Sequence, residues 1–458
     1  MAILKDTTAD GVAKLPTAFK IKEITITNKI GEAIDIQPSV VELRLTESLF
    51  SPTVICNISV YDESNMIEIM PFYGLETIKV VLSRKEGEGG AEQIIEKLFY
   101  LTQYPLYGRG RNPHTQMYEL VGVSFHAWKN PMLKMSRYYS GLIKDQIVKI
   151  GKDSFGLKIK TEGITLQRGK GIINIQSPLQ AIDWFRRRLY TDKGSPFYFF
   201  ETIQDLDKEV SLISHDMFTI KPPYRKYFGG RDLNVEEGGT KEDYDKRKVR
   251  IIDISSELKL SKFTEAPKGA YSSETNYLDI AKRRFSKKFY NYKKDFPRVD
   301  TIYQTDILMP PKSFVPGGEG GGGGGGGAPN PNLNMENLEE LFYTYQEHMS
   351  LNSESFFGTP ELQNYGEWTK EKTNIINAWS GVFNTLSHQV TVTGDFQLNP
   401  GKIVELMIPK AQDPQISGVG QLWDENVSGK YLVTSAVHTF KNNEYYTNFR
   451  VKRDSFVV

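Results

Sequence analysis

The sequence predicts a mainly β chain with α+β portions, and three observations carry that prediction. Apolar and polar residues alternate with period two through most of residues 19–126. A capped amphipathic helix begins at Ser177 and leads into four consecutive aromatics, Phe197-Tyr198-Phe199-Phe200. Period-two runs then return between residues 389 and 452. At 458 residues the chain has room for about three domains.

The first 18 residues are polar and small and read as an N-terminal arm. Beyond them Val41, Leu43 and Leu45 alternate with Glu42, Arg44 and Thr46, so one face is buried and the other wet. The alternation resumes at Val54, Cys56, Ile58 and Val60 after a loop over Glu47, Ser48, Leu49, Phe50, Ser51, Pro52 and Thr53, which predicts a β-hairpin. Cys56 falls on the apolar face, as a buried small hydrophobe. Runs at 78–82, 98–102 and 117–125 bring the strands to about six, and without a helical period between most of them an antiparallel barrel or sandwich follows. Parity slips near Ile21–Ile24 and Leu120–Val121 predict bulges.

Helical signals begin near residue 138. At Ser177-Pro178-Leu179-Gln180 the serine caps, proline takes the first helical position and glutamine closes a capping box. Leu179, Ile182, Phe185 and Leu189 then form an apolar stripe, with Arg186, Arg187 and Arg188 toward the C-terminal end, where the helix dipole favours cations. Four aromatics in a row fill both faces of a sheet, so the strand at 197–200 is expected to be central. From residue 229 the composition shifts. Pro310-Pro311, Pro316 and the run Gly320–Gly327 mark a flexible surface linker over 309–332. Two helical stripes follow, Leu338-Leu341-Phe342-Tyr345-Met349 and Ile375-Ile376-Trp379-Phe383-Leu386. The chain closes with strands at 389–394, 402–408, 431–440 and 445–452, with a type II turn at Pro400-Gly401 and a hairpin turn at Asn442-Asn443.

Charge and motifs exclude more than they assign. Lys plus Arg is 57 and Asp plus Glu is 56, a net +1 that argues against a surface wholly dedicated to nucleic acid or anionic membrane. One cysteine excludes an intrachain disulfide framework and any multi-cysteine metal site. No apolar run approaches the ~18 residues of a membrane span, and the N-terminus has no apolar signal core. The histidines, His114, His126, His215, His348, His388 and His438, show no metal-ligand spacing, and those in or beside strands read as structural. No nucleophile elbow, Walker loop or zinc-protease helix is present, so no catalytic residue, cofactor or metal ligand is assigned. One basic cluster stands out: Lys282, Arg283, Arg284, Lys287, Lys288, Lys293, Lys294 and Arg298, interleaved with Phe285, Phe289, Tyr290, Tyr292 and Phe296. Tyr277, Ala281, Phe285 and Phe289 recur every four residues, which predicts an amphipathic helix with the basic residues on its solvated face. A docking patch for an acidic protein and a single-stranded nucleic-acid groove are the alternatives.

Two stretches resemble a known family. Residues 177–216, from Ser-Pro-Leu-Gln through Gly194-Ser-Pro-Phe-Tyr-Phe-Phe to Leu212-Ile-Ser-His-Asp216, are similar to a helix–strand–hairpin of the baseplate hubs of contractile-tailed bacteriophages and of VgrG spike proteins of type VI secretion. Residues 389–408, with Gly394, Asp395, Phe396, Asn399, Pro400 and Gly401 before Ile403-Val-Glu-Leu, resemble the start of the hub's last barrel segment, and Leu45 to Ile55 fits its opening barrel. The resemblance implies two tail-tube-like antiparallel β-barrels flanking a mixed α/β domain. On this chain that gives the arm at 1–18, a first barrel at 19–126, mixed domain at 127–195 and 229–387, and a second barrel from 196–228 and 388–458.

It further implies a non-enzymatic virion protein of the tail baseplate, a homotrimer that connects a six-fold tail tube to a three-fold central spike and lines part of the channel for genome ejection. The implied partners are the tail tube protein and the spike protein, with tape-measure and baseplate wedge proteins beside them, DNA only in transit and no membrane anchor. The loop Glu47–Thr53 is the expected inter-barrel or tube contact. Only six residues follow Lys452, so the spike is expected to be a separate protein. Three other readings stay open: the hub of a phage-tail-like injection system, a nucleic-acid-binding protein using residues 282–298, and a tail-associated cell-wall hydrolase.

Overall fold

The computed structural model describes residues 19–229 except 71, 86–91, 104–105 and 108–114, together with 248–258, 272–279, 283–291, 301–303, 343–348, 386–410, 423–424, 427–455 and positions 375, 378, 379, 381 and 383. The expected arm and glycine linker lie outside these residues, as do Lys282, Lys293 and Lys294.

Residues 20–123 form β1 (Lys20–Thr27), β2 (Ala33–Asp35), β3 (Val40–Ser48), β4 (Ile55–Asp62), β5 (Thr77–Lys85), β6 (Glu92–Gln103), β7 (Leu106–Tyr107) and β8 (Gln116–Val123), with a short helix α1 (Met66–Ile69). They run antiparallel in the order β3-β4-β8-β6-β5-β1-β2. The Ile36 amide donates to the Ile24 carbonyl at 3.0 Å, which brings the chain ahead of β3 against β1. Inward side chains such as Ile24, Leu43, Cys56, Val80 and Leu120 share one core. The expected slip at Ile21/Glu23 is present. The second slip lies in β6, at Leu101/Gln103, opposite Gly122 and Val121. β8 itself keeps period two. Gly122 occupies an inward position where a Cβ would stand 2.9 Å from that of Phe99, so close packing, and not a break in alternation, sets the residue there.

Next come α2 (Phe125–Lys129), β9 (Met135–Leu142), α3 (Ile143–Phe155), β10 (Lys158–Glu162), β11 (Arg168–Gln176), α4 (Pro178–Arg186), β12 (Phe197–Phe200), β13 (Glu209–Ser214) and α5 (His215–Thr219). The helical signal near residue 138 resolves into strand β9, which bends at Gly141 (φ +107°) and gives way to α3. The α4 capping box forms as the sequence predicts, with the Ser177 amide donating to Gln180 Oε1 at 3.1 Å. The four-aromatic strand differs from expectation. β12 is the edge of a three-stranded sheet, β10-β13-β12, in which β13 is central. Its two faces are nevertheless both covered, Phe197 and Phe199 by the α3–α4 core and Tyr198 and Phe200 by a cluster with Leu49, Phe218 and Leu432. Residues 197–214 therefore pair with β10 and do not join the later strands.

The second barrel is built from β14 (Arg225–Phe228), β15 (Ile251–Leu258), β19 (Leu386–Thr393), β20 (Ile403–Met407), β21 (Gly429–Lys441) and β22 (Glu444–Arg453). The pairing runs β14-β20-β21-β22-β19-β15. A parallel bridge between Phe228 and Arg250 closes it, with the Phe228 amide donating to the Val249 carbonyl at 2.9 Å. β15, expected in the mixed domain, belongs here by pairing. Gly401 takes φ +88° in the Pro400-Gly401 turn, and Asn442 and Asn443 take φ of 52° and 63° in the last hairpin.

The amphipathic helix expected across 277–289 is a β-hairpin instead. β16 (Ser272–Asp279) and β17 (Arg284–Asn291) pair antiparallel around Arg283 (φ 49°), and β18 (Tyr343–His348), expected as helix, lies parallel to β16. A spacing of four is a multiple of two, so residues four apart share a face in a strand as well as in a helix. Phe285, Lys287 and Phe289 accordingly line one exposed face, while Tyr290 is buried. The later stripe is helical at Ile375, Trp379 and Phe383, but Leu386 already opens β19.

Urea unfolding separates these environments. Phe199→Ala, in the core, is expected to cost about 3–5 kcal/mol. Phe285→Ala, on the exposed face of β17, is expected to stay within about 0.5 kcal/mol of the native chain, whereas the helical stripe would have made the two losses alike.

Candidate functional site

β21 belongs to both barrels. Its first residues pair with β20, and Ser435–Lys441 pair with β3 from Ser48 back to Glu42. Among the described residues this seam joins the barrels into one 14-stranded sheet. The hairpin tip beyond it enters the first barrel, where Phe440 and Tyr445 stack at 4.3 Å and Phe19 meets Phe440 edge-on at 5.1 Å.

The seam is also where ionisable residues are buried. Glu47 has the inward parity of Leu43 and Leu45, and its side chain is fully covered. Its Oε2 accepts the Ile203 amide at 2.8 Å, and its Oε1 faces His438 Nε2 at 3.3 Å. The other ring nitrogen of His438 lies 2.7 Å from the Tyr445 hydroxyl. Burial pushes the Glu47 carboxyl above its ordinary range, opposed by His438 and the Ile203 amide. With its side-chain amide turned to donate, Asn399 also reaches Glu47 Oε1 at 3.3 Å and the Phe396 carbonyl at 3.2 Å. Arg84, inward on β5, donates to the Gly394 carbonyl.

The residues predicted from the motif at 394–401 sit around this seam. Gly394 is backed against Tyr445 so closely that a Cβ would lie 2.0 Å from the ring. Asp395 accepts from the Tyr224 hydroxyl at 2.9 Å, the Gln397 amide at 3.0 Å and the Arg225 guanidinium. Burial alone would raise the Asp395 carboxyl, but Arg225, the Gln397 amide, Arg84 and Tyr224 hold it below the usual carboxylate range. Phe396 fills the first-barrel core, and the Gly401 amide donates to the Val433 carbonyl at 2.9 Å.

The loop after β3 is tied down along its length. Ser48 pairs with Ser435, and the Leu49 amide donates to the Thr434 carbonyl at 2.8 Å. The Ser51 amide bonds back to the Ser48 carbonyl at 3.1 Å. His126 Nε2 contacts the Pro52 carbonyl, and Thr53 Oγ1 accepts the Ser124 amide at 3.3 Å. Behind them Lys97 and Glu201, both buried, form an ion pair of 2.8 Å, and the other Glu201 oxygen accepts the Val54 amide at 3.2 Å. Phe50 alone turns its side chain outward, 51% exposed. In the predicted docking patch, Arg283 is exposed at the turn, Arg284 and Lys288 lie on β17, and Lys287 pairs with Glu274 at 2.8 Å.

Two further buried groups centre on His215 and His388, whose partners the sequence did not indicate. His215 Nε2 contacts Asp454 Oδ2 at 2.7 Å, and the Ile302 amide donates to Asp454 Oδ1 at 3.1 Å. Arg453 donates to the Ser428 carbonyl at 3.0 Å and lies over the Tyr431 ring. His388 bridges Ser256 Oγ at 2.8 Å and the Tyr431 hydroxyl at 2.9 Å, and burial, reinforced by Arg453, depresses its pKa to about 4. The His388 group connects β19 to β15 and β21, and the His215 group connects α5 to the chain end after β22. Among the described residues no group of three or more His, Cys, Asp or Glu could hold a metal ion, and no helix is long and apolar enough to cross a membrane.

No family model and no curated protein matches the chain. Solved structures do. The chain is similar to a tail protein from Neisseria meningitidis MC58, with 10% identity over 94% of this chain and 96% of that one and a TM-score of 0.48. A 43 kDa tail protein of prophage MuSo2 from Shewanella oneidensis gives 10% identity, coverage of 94% and 98% and a TM-score of 0.49. An E. coli component of the type VI secretion system, described as structurally similar to the T4 tail proteins gp27 and gp5, gives 8% identity, coverage of 96% and 78% and a TM-score of 0.44. At these identities the likeness concerns the fold.

Two measurements test the buried polar groups. Lys97→Met should cost about 3–5 kcal/mol in urea unfolding by stranding the Glu201 charge, and Lys97→Met with Glu201→Gln should recover part of that loss. His388 has a folded pKa below its ordinary 6.5, so its contribution is present above pH 6.5 and is lost as pH falls toward about 4, by as much as about 3 kcal/mol. His388→Gln should flatten the stability profile across that window.

Proposed function

We propose that the chain is a structural hub of a contractile-tail baseplate, acting as a homotrimer between a six-fold tail tube and a three-fold central spike and forming part of the channel for genome ejection. The observation that carries this reading is the seam: one chain supplies two barrels hydrogen-bonded edge to edge through β3 and β21. Three such chains present six barrel units to a six-fold tube while retaining exact three-fold symmetry toward a spike. A rigid seam is what such an adaptor requires, because a hinge between the barrels would let the six units leave their common ring.

The proposed partners are a second and third copy of the chain, the tube protein and the spike protein. Tape-measure and wedge proteins are adjacent, and DNA meets the chain only in transit. The balanced charge supports a passage that does not grip a polyanion through many phosphate contacts. We also read the chain as non-enzymatic and located in the virion tail. Its buried carboxylates Glu47, Glu201, Asp395 and Asp454 are each engaged by amides, hydroxyls or cations within the fold, an arrangement that holds elements together.

Light scattering coupled to size exclusion tests the reading. Three chains of 52.1 kDa, about 156 kDa in all, are expected either alone or on addition of the spike protein. A monomer under both conditions would overturn the trimeric hub.

A further inference from the structure

The carboxyl groups buried around the barrel junction are met by different partners. Glu201 faces the Lys97 ammonium at 2.8 Å, and Asp395 faces the Arg225 guanidinium. The ionisable side chain that meets Glu47 is an imidazole. Glu47 Oε1 lies 3.3 Å from His438 Nε2, and both side chains are fully buried. An ammonium or guanidinium holds its partner as an anion, whereas an imidazole accepts or donates a proton at either nitrogen.

The contacts place Glu47 at the head of a relay. Its Oε2 accepts the Ile203 amide at 2.8 Å, which marks that atom as the carbonyl oxygen and leaves Oε1 to His438. Beyond the ring, His438 Nδ1 lies 2.7 Å from the Tyr445 hydroxyl, which in turn lies 3.4 Å from Thr447 Oγ1. The imidazole and the phenol each donate and accept, so the relay runs either way. In one direction Glu47 O–H donates to Nε2 and Nδ1–H to Tyr445. In the other, Tyr445 O–H donates to Nδ1 and Nε2–H to Glu47. These bonds join β3, β21, β22 and the turn after β12. The charged groups facing the relay are Asp205 of that turn, Lys402 ahead of β20, Arg84 of β5, and Asp395. Asp205 opposes an anion at Glu47 and Lys402 favours one, while burial pushes the carboxyl above its ordinary range.

We propose that Glu47 is a proton-operated latch of the seam. Protonated, it is neutral, donates to His438 and keeps the Ile203 amide on Oε2. On deprotonation the Glu47 proton passes to Nε2, the proton on Nδ1 leaves to solvent, and Tyr445 turns its O–H toward Nδ1. A carboxylate then lies buried between the barrels, its lost hydration offset only in part by the Ile203 amide, the Asn399 side chain and the imidazole. The seam is therefore tighter below this transition than above it. Because the folded chain binds the proton more tightly than the unfolded chain, the stabilisation is complete below the ordinary value of 4.5 and is lost as pH rises through the folded value. The latch rests on the seam's own geometry and does not depend on the hub reading.

Urea unfolding of the full chain and of Glu47→Gln, from about pH 4.5 to about pH 8.5, tests the latch. Glutamine keeps the shape and a donor toward His438 but does not titrate, so the ratio of the two unfolding constants isolates the Glu47 proton. The ratio of native to variant is expected to rise with pH by up to about tenfold per pH unit within one window, and to level off above it. Amide exchange, corrected for its intrinsic pH dependence, is expected to lose protection at β3 and β21 in the same window. A ratio independent of pH, a ratio that falls as pH rises, or seam protection that does not follow the ratio overturns the proposal. Infrared spectra of the native chain carrying isotope-labelled glutamate need no variant. A protonated-carboxyl band that titrates at higher pH than the bulk of the glutamates is expected, and its absence contradicts the latch.

Discussion

The architecture depends on the backbone pairing of β3 with β21. Each strand would otherwise present a row of unpaired amides and carbonyls at a sheet edge, a state that costs free energy when buried and invites aggregation when exposed. Pairing Ser48–Glu42 with Ser435–Lys441 removes both edges at once. The apolar half of the same junction is the last hairpin, whose Phe440 and Tyr445 pack in the first barrel's core although their strands belong to the second. The polar half is the set of inward polar side chains at the barrel ends, Glu47, Arg84 and His438, which would be costly to bury singly and are buried here with partners.

That arrangement explains why the motif at 394–401 has its composition. Gly394 leaves room for the Tyr445 ring, Asp395 gathers Tyr224 and Arg225, and Asn399 turns its amide toward Glu47. The short segment thus connects β14, the seam and the hairpin tip. A second connection runs through Glu201, which follows β12 and binds Lys97 of β6 and the Val54 amide just ahead of β4. The mixed region is thereby attached to the first barrel by charge and to the second by His215 and Asp454. Each attachment uses an ion pair or hydrogen bond that the surrounding apolar packing shields from water.

Much of this was legible in the sequence. Period-two alternation located the strands of the first barrel, the capping box placed α4, and the Asn442-Asn443 turn marked the last hairpin. The polar residues on inward strand positions were legible in principle. Glu47 shares parity with Leu43 and Leu45, Lys97 with Ile95 and Phe99, and His438 with Ala436 and Phe440, and a charge on the inward parity of a strand is a signal in itself. Their partners were not legible, because Glu47 meets Ile203 and His438 from segments distant in sequence, and pairing between distant strands leaves no local mark. The hairpin at 272–291 was misread for a different reason: a four-residue recurrence is compatible with both a strand and a helix, and only the turn at Arg283 distinguishes them.

The central claim is that the seam makes the two barrels one mechanical body. Native-state hydrogen exchange at increasing denaturant measures this directly, comparing amides of β4 in the first barrel with those of β19 in the second. The account predicts that the most protected amides of both strands exchange with the same opening free energy, because neither barrel opens without breaking β3 from β21. Two distinct free energies, with one barrel opening while the other stays protected, would contradict it.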